Sequence, residues 1–445
     1  MSRIVAARDG GLCRIKLPGG VLRARQARAI ADAAHAHASG VVELTNRANL
    51  QLRGVKAGHE NDLSRQLADA GLGPQVACAP AGDAHQAAVA DDLRNLLLSP
   101  AAGIDADALY DTRPLARLTL AQLQNERRFA ALSPKCSMLL DGGERLAALD
   151  HPHDLWFAAM AAPAHGWFAL GLAGQPAVAD GSALAAVRAR DLPALAIALL
   201  HTFVDLASPD DTRMRDLLRR LDGAHVVMHA ATRAGIELRD GDDVRAWRRA
   251  PADPARRFGA WPQRDAGLSY VGGQPPLGRI DTHALRALAG LAHDHGDRTF
   301  RLTPWQSVLI PAVPTDAIAP VVRGLAALGF ATSARDPFAR LIACAGSAGC
   351  AKGLADTKAD ARDLARRLPD GVEVHLSGCA RSCAAAHCAR YTLLAVEPAR
   401  YDLYRRVPAS APGRANRFGE RIGIRLTLEA AADALGDAAR SPSDD

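Results

Sequence analysis

The sequence predicts an α+β fold with an internal duplication and a pseudo-twofold relation between its two halves. Segment 41–53 has a counterpart at 299–311, in which Thr45 corresponds to Thr303. Each segment alternates as a strand, follows a predicted helix of similar length, and comes after a turn rich in Pro and Gly. Because other material separates the two copies, the repeat indicates two similar halves rather than a solenoid.

The coarse order of elements along the chain gives the predicted domain organisation. The helices of the two copies are predicted over about 23–38 and 281–294. Between and after the copies lies a second, mixed type of segment, with strands predicted at 137–140, 166–172, 372–376 and 391–396 and helices predicted at 192–206, 212–221 and 355–368. Irregular stretches are expected around 79–85 and 239–263. The predicted units are 1–78, 79–235, 236–336 and 337–440, with a disordered tail at 441–445.

The composition is that of an ordinary globular protein, with 49% hydrophobic and 23% charged residues among 445. The net charge of +6 excludes an acidic or disordered chain, and it gives little support to a nucleic-acid binder, which needs a concentrated basic surface. The N-terminal segment lacks the apolar core of a signal peptide, and the longest apolar run, 192–206, is too short to span a bilayer. We therefore expect a soluble, cytoplasmic protein without a nucleic-acid or membrane partner. Since the duplication already pairs two halves, we expect a monomer.

Four cysteines in two pairs carry the sharpest chemical signal. The chain has eight cysteines, too few for a disulfide scaffold, and the pairs are Cys344-x5-Cys350 and Cys379-x3-Cys383. Small residues surround each pair, so the loops can wrap closely around a bulky cluster. Four thiolates are what a [4Fe–4S] cluster needs. Structural zinc more often uses pairs spaced by two to four residues, and buried unliganded thiols are the least favoured alternative.

The cysteine spacing, the duplication and one motif together carry a family resemblance. The motif is Leu-Thr-Asn-Arg-Ala-Asn-Leu-Gln-Leu-Arg-Gly-Val at 44–55. Over nearly its whole length the chain resembles the sirohaem-dependent nitrite and sulfite reductase superfamily. The resemblance implies two ferredoxin-like half-domains in pseudo-twofold arrangement, at 1–78 and 236–336, and two mixed α+β domains, the second of which bears the cluster. Four passages, at 44–55, 303–305, 344–360 and 374–379, most resemble the precorrin-3B synthase branch of the superfamily.

This branch implies an oxygen-dependent monooxygenase of aerobic cobalamin biosynthesis. Its substrate would be the tetrapyrrole precorrin-3A, which is hydroxylated at C20 by O2 while the ring A acetate closes as a γ-lactone. The implied cofactors are the [4Fe–4S] cluster and a mononuclear non-haem iron, with NADH supplying electrons through a partner reductase. Two alternatives stay open: a sirohaem-dependent assimilatory sulfite or nitrite reductase, and a non-catalytic tetrapyrrole-binding redox sensor.

Basic residues of the first copy are the predicted contacts to the carboxylates of such a substrate. Arg47 and Arg53 are separated by six residues, so we expect them on one face of a single strand. Lys135 aligns with a lysine that the reductases direct into their active site. The predicted substrate-binding residues are Arg14, Lys16, Thr45, Arg47, Asn49, Gln51, Arg53, Lys135, Thr303, Trp305 and Gln306.

Departures from the reductase pattern favour oxygen chemistry over anion reduction. The reductases carry an anion-binding arginine in an Arg-Asn-Val segment after the first repeat, and we match that segment to 73–76, which has no basic residue. Their second active-site lysine corresponds to Ser137. An anion reductase needs cations to hold its substrate and deliver protons, so the loss of two argues against that activity.

The protein ligands of the implied mononuclear iron are not evident from the sequence. His151, His153 and Asp154 form the nearest local grouping, but we interpret them as surface residues of an Asp-His-Pro-His-Asp turn. His375 and His387 could each be a ligand or a structural residue. The catalytic residues therefore stay unknown at this stage.

Overall fold

The computed structural model describes residues 4–74, 84–178, 183–385, 389–406 and 418–440. Over these residues the chain forms four five-stranded sheets. The strands are β1 Val5–Ala7, β2 Gly10–Ile15, β3 Val21–Arg23, β4 Val41–Leu44, β5 Leu50–Val55, β6 Leu96–Leu98, β7 Met138–Asp141, β8 His153–Ala159, β9 Trp167–Gly174, β10 Ala185–Arg188, β11 Gly259–Pro262, β12 Leu268–Gly273, β13 Arg279–Asp281, β14 Thr299–Leu302, β15 Val308–Pro314, β16 Leu341–Ala343, β17 Val374–Ser377, β18 Tyr391–Glu397, β19 Arg400–Arg405 and β20 Glu420–Leu426.

Helices cover the sheets. The α-helices are α1 Ala24–His37, α2 Glu60–Asp69, α3 Ala84–Asp92, α4 Arg113–Asn125, α5 Leu192–Leu206, α6 Met214–Leu217, α7 Gly223–Ala234, α8 Asp242–Arg245, α9 Thr282–His295, α10 Ile318–Ala327, α11 Gly346–Gly349, α12 Thr357–Ala365 and α13 Leu428–Arg440. Short 3-10 turns lie at Pro18–Gly20, Arg127–Ala131, Pro254–Arg257, Pro276–Gly278, Thr315–Ala317 and Pro337–Arg340. None of the described helices is both long and apolar enough to cross a membrane.

The two sheets of the repeats exchange one strand each. The first repeat sheet has the order β1-β2-β5-β4-β13, and the second has the order β11-β12-β15-β14-β3. Strand β13 of the second half pairs with β4, while β3 of the first half pairs with β14. Helices α1 and α9 pack between the sheets, and both halves contribute to one continuous apolar core. The two half-domains predicted from the sequence therefore form a single packed unit.

The other two sheets share one topology, as the duplication predicts. In the sheet β10-β9-β8-β7-β6, hereafter the N-terminal mixed sheet, β6, β7 and β8 are parallel and β8, β9 and β10 are antiparallel. The sheet β16-β17-β18-β19-β20, hereafter the C-terminal mixed sheet, repeats this pattern. Each has its own apolar core. The predicted α+β fold with internal duplication is confirmed.

Several predicted elements appear with small shifts of their ends. The helix predicted over 192–206 is α5, which begins with Pro193 in its first turn, where a missing N–H costs nothing. The helix predicted over 212–221 is wrong in length, because α6 covers only four residues. Arg213, directly before it, is extended and pairs with Asp154 of β8, which prevents the helix from starting earlier.

The segment after α7 packs against the N-terminal mixed sheet rather than the second repeat. Arg239 pairs with Ala186 of β10 through backbone hydrogen bonds, and Arg249 forms a buried ion pair with Asp141 at 2.5 Å. The predicted second half-domain, 236–336, therefore begins with residues that pack on the N-terminal mixed sheet. Of the predicted linker at 79–85, residues 79–83 lie outside the described residues, as does the predicted tail at 441–445.

Candidate functional site

The motif at 44–55 forms a hairpin, which corrects the expected placement of its arginines. Between β4 and β5 the chain turns at 45–49, hereafter the first-repeat turn. The Thr45 N–H donates to the Asn49 carbonyl at 2.9 Å, and Ala48 has a φ of 53°. Arg47 lies in this turn, while Arg53 lies in β5 and donates to Asp9 at 2.8 Å. The expectation that both lie on one face of a single strand is wrong, because the turn reverses the chain between them.

Thr45, Asn49 and Gln51 satisfy protein groups in this hairpin. The Thr45 hydroxyl accepts from the Asn49 N–H at 3.1 Å, and the Asn49 side-chain oxygen accepts from the Leu17 N–H at 2.6 Å. The Gln51 amide donates to Glu43 at 2.7 Å. These three residues therefore hold the turn and its neighbours in place, and their predicted contacts to substrate stay a prediction.

Arg47 lies among basic groups supplied by other elements. Its guanidinium donates weakly to the Lys135 carbonyl at 3.5 Å. Burial lowers the pKa of Arg47, and the nearby positive charges of Arg213 and Arg14 lower it further. We call Arg14, Arg47, Lys135 and Arg213 the basic cluster. Among the described residues, no carboxylate lies within ion-pair distance of Arg14, Arg47 or Lys135.

Asp154 anchors the fourth member of the basic cluster. Its carboxylate accepts two hydrogen bonds from the Arg213 Nε, at 2.9 and 3.1 Å, and one from Nη2 at 2.8 Å. The backbone N–H groups of Ser137 and Met214 also donate to it. Burial lowers the pKa of Arg213, but the bonds to Asp154 outweigh burial and leave it raised. Arg213 is thus held as a fixed cation at the edge of the sheet.

The grouping of His151, His153 and Asp154 is buried, so its interpretation as a surface turn is wrong. Their exposed fractions are 2%, 5% and 3%. His153 begins β8, which packs in the centre of the N-terminal mixed sheet. Burial lowers the pKa of His153 to about 3, and the charges of His151 and Arg47 act in the same direction. Neither ring nitrogen of His153 has a hydrogen-bond partner among the described residues, so it is a neutral imidazole beside the basic cluster.

Two further basic residues near the cluster are used by the protein itself. Lys16 donates to the Asp92 carbonyl at 2.7 Å and lies 3.5 Å from its carboxylate. Arg94 is buried and donates to Asp91 at 3.1 Å and to the Lys16 carbonyl at 3.0 Å. A substrate carboxylate would therefore have to compete with Asp92 for Lys16, and the predicted substrate contact of Lys16 stays a prediction.

The match of the reductase Arg-Asn-Val segment to 73–76 stays a prediction, and residues 75 and 76 lie outside the described residues. Arg94 and Asn95 stand directly before β6, after the first repeat. The Arg94 guanidinium binds Asp91 and two backbone carbonyls, those of Leu72 and Lys16, so this arginine is used by the protein itself.

A polar network, part of it buried, joins the first repeat to the C-terminal mixed domain. Arg53 donates to the Gly349 carbonyl, next to Cys350, and Asn46 donates to the Cys383 carbonyl at 3.2 Å. Glu43 is 3% exposed and binds Arg279 at 2.7 Å. Burial raises the pKa of Glu43, but the charges of Lys358 and Arg279 outweigh burial and lower it. The network fixes the first-repeat turn against the cysteine loops.

The four paired cysteines converge at the ends of β16 and β17. Cys344 follows β16 and Cys379 follows β17, two adjacent parallel strands. The Cys344 sulfur accepts from the Gly378 N–H at 3.2 Å and the Gly346 N–H at 3.4 Å. Burial raises the pKa of Cys383, and the charges of the other three thiols raise it further.

Small residues make this cradle close-fitting. A Cβ on Gly353 would lie 2.5 Å from the backbone of Gly346, so neither loop tolerates a side chain there. Within the described part of the chain, no three His, Cys, Asp or Glu side chains converge on one point as ligands of a single ion. A four-iron cluster binds each thiolate to a different iron, so the spread of four thiols around a small-residue cradle fits a [4Fe–4S] cluster. The same finding leaves the predicted mononuclear iron without a set of three such ligands among those residues.

Thr303, Trp305 and Gln306 lie in the second-repeat turn, 303–307, and line a different part of the molecule. The Thr303 N–H donates to the Ser307 carbonyl at 2.9 Å, as in the first-repeat turn, and Gln306 has a φ of 60°. Trp305 is 4% exposed and lines a separate cavity of about 730 Å³. That cavity is lined by none of the basic cluster.

Sequence reasoning missed Arg213 and placed His153 and Asp154 on the surface. The apolar run at 155–160, which is typical of a buried strand, is the signal that Asp154 at its start is buried. Arg213 carries no local signal, because its role depends on packing against β8. Of the two histidines left open, His375 is buried within β17, and His387 lies outside the described residues.

The fold and the site together define the class of protein. Models of the nitrite/sulfite reductase ferredoxin-like half domain match residues 6–70 and 261–328, and a model of the nitrite and sulphite reductase 4Fe-4S domain matches 89–237. These matches cover more than half of the chain. The protein belongs to the nitrite/sulfite reductase family, and its homologues are enzymes.

Individual relatives carry two kinds of activity. The chain is 28% identical to a precorrin-3B synthase of Sinorhizobium sp over 94% of its own length and 84% of that protein's length. It is 29% identical to a chloroplastic ferredoxin–nitrite reductase of Zea mays, over 84% of its own length and 67% of the other's. The NirA protein of Mycobacterium tuberculosis has the same fold, with a TM-score of 0.77, 21% identity, and coverage of 98% of this chain and 82% of that chain.

Proposed function

We propose that the protein is an O2-dependent monooxygenase of the precorrin-3B synthase type. It would hydroxylate precorrin-3A at C20, with closure of the ring A acetate as a γ-lactone, in aerobic cobalamin biosynthesis. One oxygen atom of O2 enters the product, and the other leaves as water after taking up two electrons and two protons. The electrons would come from NADH through a partner reductase.

The observation that carries this proposal is that three members of the basic cluster, unlike Arg213, pair with no described carboxylate. Arg14, Arg47 and Lys135 come from three different segments, and no described carboxylate pairs with any of them. Burying or crowding like charges is unfavourable unless a ligand supplies the opposite charge. A precorrin carries many acetate and propionate groups, and guanidinium groups bind carboxylates through paired hydrogen bonds. The cluster therefore suits a polycarboxylate better than a small anion.

The residues around the basic cluster have separable tasks. Arg47 and Arg14 would bind and orient substrate carboxylates, while Asp154 keeps Arg213 fixed in its rotamer. His153 is buried and neutral, so it adds no further charge beside the basic cluster. Ser137 stands where the reductases have a lysine, which lowers the capacity to deliver protons to an oxyanion.

Cys344, Cys350, Cys379 and Cys383 would hold the [4Fe–4S] cluster, which supplies electrons one at a time when bound. Cys383 is exposed, and the exposed side chains of Lys352 and Arg381 lie in the same loops. Such a surface suits docking of an acidic electron carrier, since opposite charges speed association. The mononuclear iron implied by the resemblance finds no set of three ligands among the described residues, and we derive no step through it.

The second candidate is a sirohaem-dependent assimilatory nitrite or sulfite reductase. It is favoured by the nitrite reductase of Zea mays and by a ferredoxin-dependent sulfite reductase of Mycolicibacterium paratuberculosis, which is 27% identical over 84% of this chain. The share of each relative's length that the chain covers favours the first candidate. The chain spans about two thirds of these two reductases but 84% of the precorrin-3B synthase.

Turnover of precorrin-3A tests the proposal. Purified protein with its cluster, O2, NADH and a donor reductase should convert precorrin-3A into a product heavier by one oxygen atom, with label from ¹⁸O2. Arg47→Gln should weaken substrate use, measured as kcat/KM, by about tenfold or more, because a charge-assisted bond is lost. Arg25→Gln, an exposed arginine on α1, is the matched control and should change little. A strong Soret band of bound sirohaem with turnover of sulfite or nitrite, and no product from precorrin-3A, would establish the second candidate instead.

A further inference from the structure

The cavity beside the second-repeat turn has no role in the proposed function. It has a volume of about 730 Å³ and lies between the second repeat, the 3-10 turn at 254–257 and the starts of strands β16, β17 and β18. Its size is that of pockets that hold cofactors and other small ligands. The cysteine loops lie at the opposite ends of β16 and β17, so the proposed cluster does not reach it.

Strand registers identify this cavity as the pseudo-twofold counterpart of the predicted substrate site. In the first repeat Ile15 pairs with Leu50, and in the second Gly273 pairs with Val308. The positions that follow, Lys16 and Gln274, are therefore equivalent. Thr45 and Thr303 begin equivalent turns, so Arg47 corresponds to Trp305. Gln274 and Trp305 both line the cavity.

The two mixed sheets give the same correspondence. Leu96 pairs with Met138 in one sheet, and Leu341 pairs with Val374 in the other. Met138 further pairs with Leu155 as Val374 pairs with Tyr391. The counterparts of Asn95, Ser137 and His153 in the C-terminal mixed sheet are therefore Arg340, Glu373 and Ala389, respectively. All three of these counterparts line the cavity.

The counterpart site has no equivalent of the cluster cysteines. By the same registers, Cys344 corresponds to Ser99, and Cys379 corresponds to Gly143. Ser99 instead donates to the Leu146 carbonyl at 2.6 Å. With no thiolates at these positions, the counterpart site is equipped to bind a ligand and not to pass electrons to it.

The walls of the cavity combine aromatic faces with a buried guanidinium. Arg257 is 8% exposed, and its charge lies 4.4 Å from the ring centre of Phe258 and 5.8 Å from that of Trp305. Its Nη groups donate to backbone carbonyls, and its Nε has no partner among the described residues. The carboxylates of Asp150, Asp253 and Glu373 also line the cavity and act on its charge, but none of them is within ion-pair distance of it. The Nε of Arg340, which is 7% exposed, also lacks a partner.

We propose that this cavity is a second, non-redox binding site for a planar conjugated molecule that carries carboxylate or phosphate groups. The conjugated plane stacks against Trp305, and the anionic groups pair with the buried Arg257 guanidinium. Two sources share this chemistry, a tetrapyrrole polycarboxylate and a flavin or nicotinamide nucleotide. The inference rests on the proposed function only in treating the first-repeat turn as part of a ligand site.

Binding of two fluorescent ligands to the purified holoprotein tests this proposal. Uroporphyrin III represents the tetrapyrrole carboxylates, and FMN represents the nucleotides. Arg257→Gln should weaken one binding event by about tenfold or more, because the buried guanidinium that pairs with the anionic group is lost. Glu373→Gln removes a repulsive charge and should tighten the same event by about threefold, a gain that misfolding cannot produce. Circular dichroism checks that each variant is folded.

Arg47→Gln separates this site from the proposed substrate site. If uroporphyrin binds twice, Arg257→Gln should remove one event and Arg47→Gln the other, which assigns the tetrapyrrole source. Binding of FMN that responds to Arg257→Gln but not to Arg47→Gln assigns the nucleotide source. The proposal is overturned if neither ligand shows an event sensitive to both Arg257→Gln and Glu373→Gln. That result would not contradict the proposed function. Conversely, absence of precorrin-3A turnover with intact binding in this cavity would contradict the proposed function and not this proposal.

Discussion

Replacing Asp154 by asparagine tests whether one buried carboxylate holds the basic cluster together. The carboxylate accepts three hydrogen bonds from Arg213 and two from backbone N–H groups, and its side chain is 4% exposed. Asparagine has nearly the same shape but no charge, and it replaces one acceptor by a donor. Arg213 would then keep its positive charge beside Arg47 without a counter-charge.

The expected loss is about 3 kcal/mol in the free energy of unfolding. Breaking a buried ion pair by removing one partner costs about 3–5 kcal/mol, because the remaining charge is left unpaired. The Arg213 side chain is 15% exposed, so water relieves part of this cost and the lower end applies. The matched control is Asp62→Asn, which breaks the exposed pair with Arg65 on α2 and should cost less than about 1 kcal/mol.

Urea unfolding followed by tryptophan fluorescence provides the assay. Trp156 lies two residues after Asp154 on β8 and stacks with Trp247, so its emission reports on this sheet. The double variant Asp154→Asn with Arg213→Gln should recover part of the loss, because no unpaired guanidinium is left at that position. If Asp154→Asn costs no more than Asp62→Asn, the carboxylate does not hold the cluster, and the assignment of Arg213 as a fixed cation is wrong.

Two more predictions concern the buried carboxyl of Glu144 and the cysteine loops. Burial raises the pKa of Glu144 from its ordinary 4.5 to about 8, so between these values the folded state keeps a proton that the unfolded state releases, and stability should fall as the pH rises, by about 1.4 kcal/mol per pH unit. Glu144→Gln should flatten this dependence and be more stable than the wild type at pH 8, as measured by thermal unfolding from pH 5 to 9; an unchanged slope would contradict the raised pKa. Cys379→Ser should abolish the broad visible absorption of the cluster, while Cys13→Ser, at a buried thiol in the first repeat, should keep it. Equal iron content in both variants would show that Cys379 is not a ligand.

The elements that the sequence could predict are those determined by local pattern. Helix α5 was predictable to its last residue, because a long apolar run with a proline in its first turn has few alternatives. The duplication was predictable from matched motifs, and it gave the common topology of the mixed sheets. The convergence of the four cysteines followed from spacing and small neighbours, although no single-ion geometry describes them.

What could not be predicted depends on partners distant in sequence. The Asp-His-Pro-His-Asp segment is polar by composition, yet β8 begins within it, because Arg213 from a segment 59 residues away neutralises Asp154. The even spacing of Arg47 and Arg53 suggested one strand, but the Thr45–Asn49 hydrogen bond forms a hairpin that separates them. The exchange of β3 and β13 is not visible in the local sequence pattern, because the same residues are compatible with pairing within their own half.

That exchange gives the molecule the architecture of a swapped homodimer whose two copies have been joined into one polypeptide. Each half contributes an edge strand to the sheet of the other half, through the pairs β3–β14 and β13–β4. Neither repeat sheet is therefore complete without the other half of the chain. Cutting the chain between the halves would therefore not yield two independent proteins, but two fragments that complement each other. Within this joined frame the two copies carry different functional groups. The first copy supplies the basic cluster, and the second supplies the four paired cysteines together with an aromatic-walled cavity in the place that corresponds to the basic cluster.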